Sequence, residues 1–588
     1  MSEARLDIRS RLVVIAACLA AVFTAFEIRT PVITAGPVGF TTSEAAAGLL
    51  IFTSLIYAVS NLSWYLSRRK LDVAVILFLF VNFLSAALVA EDKPGALKFS
   101  LRMTYAALVY LAVSRLPARS RGHLWIAGSI AAALVIVTVV GLMEDLIPSA
   151  QWPSILEPFQ EGIITFGAFY NIRVASTLPF PTVLSMYLEL TLPVALAFGL
   201  WFAGRAREKS RRLLIEAAVV VLLTGVMMLQ IFTYTRTALV STPVAFLGGA
   251  ALAAVFGYGR RVWGFLILGA VVLAVTLGGL TLFSDKMASR LDVSWQAQRY
   301  GAEYTLRNMP TDLSLGQVGT ARMHIRNLGS ITWEAEGDDA VEGSYRWVNY
   351  PEKEIQQDIQ YIVTKLPHSV PPGGEVDLVL DFKTPDHDGK YVFLLELAQK
   401  HVGLFSTAGV APAVVPLEFV GGRSHLWVTS EPPASFEAGE PDVASVSRVQ
   451  LWRAAYRAWR ANPVLGLGPD QFRKRYNDYS PELPHDERVR AHNILLEAAA
   501  TTGVIGLAVM VFMLIRVFTE QFRLVRNRRQ GLGARLVSLA LIVAFTSYVF
   551  HGILDCFLWQ TGVAFLFFIY LGLTSWLQYA SEGEPADE

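Results

Sequence analysis

Residues 260–283 read RRVWGFLILGAVVLAVTLGGLTLF, two arginines followed by an uncharged apolar run. A bilayer core needs about 20 predominantly apolar residues per helix, so this stretch predicts a membrane span over 262–283. Short cytoplasmic loops carry the excess of Lys and Arg, so Arg260 and Arg261 mark the inner end. The long polar stretch that follows then emerges on the outer side.

Eleven further runs read the same way: 12–28, 45–66, 71–91, 97–115, 123–146, 183–203, 213–233, 238–257, 493–516, 536–556 and 559–579. Basic residues fall on alternate loops. The inner set is Arg5, Arg9 and Arg11; Arg68, Arg69 and Lys70; Arg115, Arg119 and Arg121; Arg205, Arg207, Lys209, Arg211 and Arg212; then, beyond the outer stretch, Arg523, Arg526, Arg528, Arg529 and Arg535. The short outer loops hold only Arg29, Lys93, Lys98, Arg173 and Arg236. This predicts a polytopic α-helical membrane protein of about 12 spans, both termini cytoplasmic, the large loop outside. Arg5, Arg9 and Arg11 precede an apolar run with no small-residue cleavage site, which reads as a retained first span rather than a removed signal peptide.

Composition agrees. The 588 residues are 53% hydrophobic and 17% charged, with a mean hydropathy of +0.44, against about 25% charged for an average soluble chain. That excludes a disordered chain, a coiled coil and a small disulfide scaffold. The net charge of +1 gives no bias toward nucleic acid. Cys18 and Cys556 both lie in apolar runs and show no zinc or redox spacing.

The outer stretch has two parts. Residues 296–422 predict an inserted all-β sandwich: apolar alternation recurs in Ala321–Ile325, Tyr345–Tyr350, Ile359–Thr364, Val376–Phe382 and Tyr391–Leu397. Pro371-Pro372-Gly373-Gly374 and Pro385-Asp386-His387-Asp388-Gly389 supply turns. Together with the stretch 327–333 (NLGSITW) these resemble an immunoglobulin-like accessory domain, either a glycan- or partner-binding module or a spacer. Residues 441–490 predict an amphipathic segment, with Val449, Trp452, Tyr456 and Trp459 at helical spacing and Arg453, Arg457 and Arg460 elsewhere on the wheel; such a helix suits the headgroup region. The expected layout is thus spans over 1–290, the β insertion over 296–422, the amphipathic segment over 441–490, spans over 491–580 and a cytoplasmic tail over 581–588.

Charges at or inside a membrane edge cost about 2.5–3.5 kcal/mol at a helix centre on insertion scales, so each asks for a reason. Arg236, between spans seven and eight on the outer side, is an anion clamp or a snorkelling arginine. Arg173 precedes span six, as a clamp or an ordinary loop residue. Arg448 opens the amphipathic helix one turn from Trp452, as a clamp or a surface charge. His492 begins span ten, as a base or a packing residue; Asn493 beside it suits a substrate oxygen, and Glu497 one turn deeper suits orientation of the imidazole. His551 and Asp555, four apart, predict one face of span eleven, as a bonded pair or as lining of the same cavity. Gly466-Leu467-Gly468 is no nucleotide loop, since it follows a helix and lacks the Lys-Ser/Thr that would close such a motif. Three arginines and a histidine on one membrane face suit a pyrophosphate leaving group and a hydroxyl nucleophile. No acidic cluster suited to magnesium accompanies them, so transfer without metal or cofactor is expected.

Several motifs then carry a resemblance. They are Ser447-Arg448-x-x-x-Trp452-Arg453-x-Ala455, Asn462-Pro463-x-x-Gly466-x-Gly468-Pro469-x-x-Phe472, His492-Asn493-x-x-Leu496-Glu497 and Gly503-x-x-Gly506. With Arg173 before Pro179 and Pro181, Thr235-Arg236, and His551-x-x-x-Asp555, the chain resembles the O-antigen ligase and polymerase superfamily over 1–290 and 440–580. The resemblance implies a GT-C-type glycosyltransferase of the bacterial inner membrane. Its donor would be an undecaprenyl-diphosphate-linked glycan and its acceptor a hydroxyl, lipid A-core first among candidates. It implies that Arg236 and Arg448 grip the diphosphate, with Arg173 and Arg290 as further candidates, and that His492 is the base of an inverting transfer at the periplasmic face. The β insertion departs from the family pattern. A polymerase, a protein O-oligosaccharyltransferase and an anion transporter remain as alternatives.

Overall fold

The computed structural model describes residues 7–28, 30–35, 38–117, 120–146, 155–156, 158–160, 173–283, 300–337, 340–350, 364–399, 403–408, 410–427, 448–480 and 489–583. They divide into two compact units. The helical unit comprises α1 (Ile8–Phe23), α2 (Thr42–Ser60), the short α3 (Leu62–Leu66), α4 (Asp72–Leu88), α5 (Lys93–Ser114), α6 (Gly122–Leu146), α7 (Pro181–Gly204) and α8 (Lys209–Phe232). It continues with α9 (Arg236–Val255), α10 (Arg260–Phe283), α11 (Arg448–Ala461), α12 (Phe472–Tyr479), α13 (Ile494–Arg526), α14 (Leu532–Gly552) and α15 (Thr561–Gly583). Each of the twelve expected spans contains helix, although the second, 45–66, is parted at Asn61 into α2 and α3. Ten of those described are long and apolar enough to cross a bilayer, and α4 is a shorter apolar helix. The chain is a multi-pass membrane protein.

Two boundaries differ from expectation in ways that matter. The span expected over 536–556 ends at Gly552, so Asp555 lies beyond the helix rather than on its face. The span expected over 493–516 is a 33-residue helix, and it is broken at Gly503, where φ is 66° and ψ −166°. A break inside a membrane frees backbone groups that lipid cannot satisfy. Here the chain's own segment 463–468 lies across the break and takes them. Leu467 N–H donates to Ala500 O and Gly468 N–H to Thr501 O, both at 2.9 Å, while Val504 N–H donates to Pro463 O at 2.8 Å. Ser85 Oγ, from α4, donates to Leu465 O at 2.7 Å and pins the segment from behind. Glycine is required on both sides: a Cβ on Gly503 would sit 2.2 Å from Val464 O, and one on Gly466 (φ 67°) 2.5 Å from the Thr501 carbonyl carbon.

The amphipathic helix α11 also differs. Its buried face is Leu451, Ala454, Ala455 and Ala458 rather than the aromatic stripe; Val449 and Tyr456 remain about half exposed. Small side chains let α11 pack closely against α13.

The other unit is all-β, with two sheets. One runs β3 (Ala302–Asn308), β4 (Val318–Asn327) and β7 (Glu375–Lys383), in that order. The other orders β11 (Arg423–Leu426), β10 (Ala413–Val420), β8 (Gly389–Gln399), β5 (Val341–Asn349) and β6 (Thr364–Lys365), with β9 (Gly403–Leu404) pairing β8; the hairpin strands β1 (Ile33–Ala35) and β2 (Val38–Phe40) belong to the helical part of the chain. Both larger sheets contribute to one core that includes Trp333, Tyr345, Trp347, Phe382, Phe393 and Phe405, with no disulfide. Four of the five expected strands are present; of Ile359–Thr364 only Thr364 is described. Strands β1, β2, β3, β9, β10 and β11 were not anticipated. Asn327 explains its turn: its side chain donates to Ile331 O and Val370 O and accepts from Gly329 N–H.

Gly503→Ala is expected to cost about 2–4 kcal/mol, because the left-handed backbone and the clash with Val464 add. Gly248→Ala, whose new methyl meets nothing within 4 Å, should leave stability unchanged or slightly raised. Thermal unfolding of the two variants in detergent measures the contrast.

Candidate functional site

His492 sits immediately before α13, at φ 46°, in the left-handed region that non-glycine residues seldom occupy. Such strain costs about 1–3 kcal/mol and persists only where surroundings hold it. Asn493 supplies the hold. Its Oδ1 accepts from the N–H groups of Leu495 and Leu496, capping α13, and its Nδ2 donates to Ile553 O at 2.8 Å, fastening the helix start to the end of α14. Asn493 is therefore a cap and a strap, its Oδ1 and Nδ2 both bonded to backbone. Trp452 Nε1–H donates to His492 O at 3.4 Å, bringing α11 against the same turn.

The strain points the imidazole at Asp555. His492 Nδ1 lies 2.9 Å from Asp555 Oδ1, which also accepts from Cys556 N–H at 2.8 Å. A carboxylate on Nδ1 fixes the tautomer with the lone pair on Nε2. That Nε2 is buried and has no hydrogen-bond partner among the described residues. Burial pushes the Asp555 carboxyl up, but the charge and hydrogen bond of His492, with the charges of His551 and Arg448, outweigh it and hold the carboxyl below its ordinary range. Arg448, the first residue of α11, thus acts on the carboxylate that holds His492.

Two expected partnerships are corrected. Glu497 does not orient the imidazole. It accepts from Ala491 N–H at 2.9 Å and pairs with Arg490 at 3.6 Å, so it braces the backbone ahead of His492. His551 and Asp555 do not share a helical face, because α14 ends between them; His551 Nδ1 instead meets Glu189 of α7 at 2.6 Å. Asp555, from a loop, takes the role expected of Glu497.

Arg173, from the segment before α7, and Arg236 meet at the α8–α9 turn. Arg173 Nε–H donates to Thr233 O at 2.9 Å and its Nη2–H to Thr235 Oγ1 at 3.3 Å, so it buttresses a turn in which Tyr234 is also left-handed (φ 49°). Arg236 follows as the exposed first residue of α9. A guanidinium at a helix N-terminus adds to the positive end of the helix dipole, which favours anions. Helix α9 is tied to α14 through Glu189, whose carboxylate accepts from Ser241 and Thr242 of α9 and bonds His551 of α14. Arg290 lies outside the described residues.

Sequence reasoning missed Glu189 and the cluster around Asp470. Arg473 donates twice to Asp470, at 2.9 and 2.8 Å, and Arg490 once, at 2.9 Å; the Arg490 guanidinium lies 4.9 Å from the Trp559 ring centroid. Burial raises the Asp470 carboxyl, but these arginines outweigh it and hold it low. The cluster rims an apolar cleft whose wall includes Phe78, Met103, Ile494 and Met510. A lone carboxylate in the apolar run of 183–203 was the available signal for Glu189. Among the described residues, no group of three or more His, Cys, Asp or Glu side chains is arranged to hold a metal ion.

The O-antigen ligase family model matches residues 391–511, from within β8 into α13, so the stretch that carries His492 and the helix break is similar to that family. No curated protein matches the chain.

Asp555 has a folded-state pKa below its unfolded value of about 3.9. The interaction it makes therefore stabilises the fold above that value and is lost as pH falls through the folded pKa. The unfolding temperature of Asp555→Asn should lie below that of the parent at pH 6, and the gap should close toward pH 3.

Proposed function

We propose that this chain, which carries an O-antigen ligase domain, transfers a glycan from undecaprenyl diphosphate to an acceptor hydroxyl, lipid A-core in the first instance, on the periplasmic side of the bacterial inner membrane. The observation that carries this reading is the His492–Asp555 dyad at the lip of a membrane helix, in a family of ligases.

The chemistry divides among the residues as follows. The acceptor O–H gives its proton to His492 Nε2 as its oxygen attacks the anomeric carbon. The bond from that carbon to the diphosphate oxygen breaks, and the configuration inverts. Asp555 holds the ring and stabilises the imidazolium that forms. Arg236 and Arg448 take up the charge developing on the diphosphate. Arg173, whose guanidinium holds the 233–235 turn, acts mainly by presenting Arg236. Trp452, through the carbonyl of His492, holds the base in register. The apolar cleft beside the dyad suits substrates borne on lipid.

A polymerase reading uses the same machinery with a second carrier-linked glycan as acceptor, and a protein O-oligosaccharyltransferase uses a protein hydroxyl. A transporter reading finds less support. Broken helices in transporters offer their freed backbone to ions and substrates, whereas the break at Gly503 offers its own to residues 463–468.

With undecaprenyl-diphosphate glycan and a lipid A-core acceptor, His492→Ala is expected to abolish transfer by the purified protein. Arg236→Ala should weaken it by about 10²–10³-fold, as for the loss of one charge-stabilising donor. Full activity in His492→Ala would sink the mechanism. In a deletion strain, long carrier-linked chains are expected for a ligase, and single repeats would mark a polymerase.

A further inference from the structure

The left-handed turn at His492 is held from both sides. Toward the helix, Asn493 caps α13 and straps its start to Ile553. On the other side, Glu497 reaches back over the turn. In a capping box, a glutamate three residues after the cap bonds the N–H of the cap itself. Glu497 stands four residues after the cap Asn493 and bonds two residues ahead of it. Its Oε2 accepts from the N–H of the buried Ala491 at 2.9 Å, and its own N–H donates to Asn493 O at 2.8 Å. His492 lies inside the ring so closed, and its φ of 46° is spanned by two bonds to one residue. Glu497 is itself held. Arg490 lies 3.6 Å from its Oε1 and donates to Asp470 at 2.9 Å, while the Arg490 guanidinium rests 4.9 Å from the Trp559 ring centroid. Asp470 is gripped in turn by Nε and Nη2 of Arg473 and stands at φ 63°. Two left-handed non-glycine residues, Asp470 and His492, are therefore joined by one line of contacts that runs through Arg490, Glu497 and Ala491.

We propose that Glu497 is a positioning residue for His492, held in place by Arg490 and Asp470, and that it works by geometry rather than by its charge. This rests on the reading of His492 as the base. Left-handed backbone at a non-glycine residue persists only where its surroundings hold it. With the Ala491 tether gone, the turn relaxes. The direction of the His492 side chain is set by that turn, so relaxation swings the ring off Asp555 Oδ1, 2.9 Å from its Nδ1, and carries Nε2 away from the acceptor hydroxyl. A misplacement of about 1 Å at reacting groups costs about 10²-fold in rate. Among the described contacts, one oxygen of Glu497 takes a neutral N–H and the other faces Arg490, and neither meets the imidazole. A side-chain amide oxygen can accept the same N–H, so the charge is dispensable where the oxygen is not. Arg490 has its edges on Asp470 and Glu497 and its face on Trp559. It serves the turn, and the diphosphate is left to Arg236 and Arg448.

The test is steady-state transfer by the purified full-length protein with undecaprenyl-diphosphate glycan and lipid A-core. In Glu497→Ala, kcat is expected to fall by about 10²-fold, with donor KM unchanged and the acidic limb of the pH–rate profile unmoved. Glu497→Gln, which keeps an oxygen for Ala491 N–H, should recover most of kcat. Arg490→Ala should lower kcat in the same way, and the double variant Glu497→Ala/Arg490→Ala should fall no further than Glu497→Ala, because the two residues act as one unit. Hydrogen exchange gives an independent readout: the Ala491 amide should exchange faster in Glu497→Ala and at the parental rate in Glu497→Gln. Parental kcat in Glu497→Ala, a Gln variant as slow as the Ala variant, a moved acidic limb, or additive losses in the double variant would each overturn the inference. Should Glu497→Ala fail to fold, Glu497→Met, of similar length but without the oxygen, carries the same comparison with Gln. His492→Ala is the separate control. Activity surviving there overturns the base assignment and this inference with it. Activity lost there, with parental kcat in Glu497→Ala, overturns this inference alone.

Discussion

Backbone hydrogen bonds have no substitute in lipid, and that constraint organises the site. The break at Gly503 leaves carbonyls and N–H groups that would be ruinous inside a bilayer, and the chain answers with six of its own residues. The bonds from Leu467 and Gly468 to Ala500 and Thr501 fix the segment that follows α11 against the first half of α13. Once that segment is fixed, α11 packs its alanine face on α13, Trp452 reaches the carbonyl of His492, and Asp470 is set beside Arg490. His492, its support and the rim of the apolar cleft all follow from one repaired break.

The fold was largely legible because membrane helices announce themselves by length and apolarity alone, and basic residues mark alternate loops. The twelve stretches all contain helix for that reason. What the pattern did not reveal was anything decided by partners distant in sequence. Gly466, Gly468, Gly503 and Gly506 were recognised as a motif, yet their purpose appears only when residues 463–468 are seen lying across α13. The aromatic spacing in 449–459 suggested the wrong buried face of α11, since close packing against another helix favours alanine over tryptophan.

The site was legible in part. His492, Arg173, Arg236 and Arg448 stood out as charges where membrane proteins avoid them. The partner of His492 was misassigned to Glu497 by helical proximity, and Asp555 was misassigned to His551 by the four-residue rule. Both errors have one cause: periodicity assumes a helix, and here a helix begins just after His492 and another ends just before Asp555. Glu189 was passed over because one acidic residue in a long apolar run carries no pattern. It gains meaning only from the imidazole 362 residues further along the chain.

The dyad has a consequence for when the site is completed. His492 and Asp555 are 63 residues apart, with α13 and α14 between them. A ribosome makes Arg173, Arg236 and the whole β unit long before Asp555 emerges. Until α14 has folded back onto the start of α13, a nascent chain holds His492 without the carboxylate that orients it. The pairing of His492 with Asp555 is thus completed late in chain synthesis, after the residues that strain and cap the start of α13 are already made.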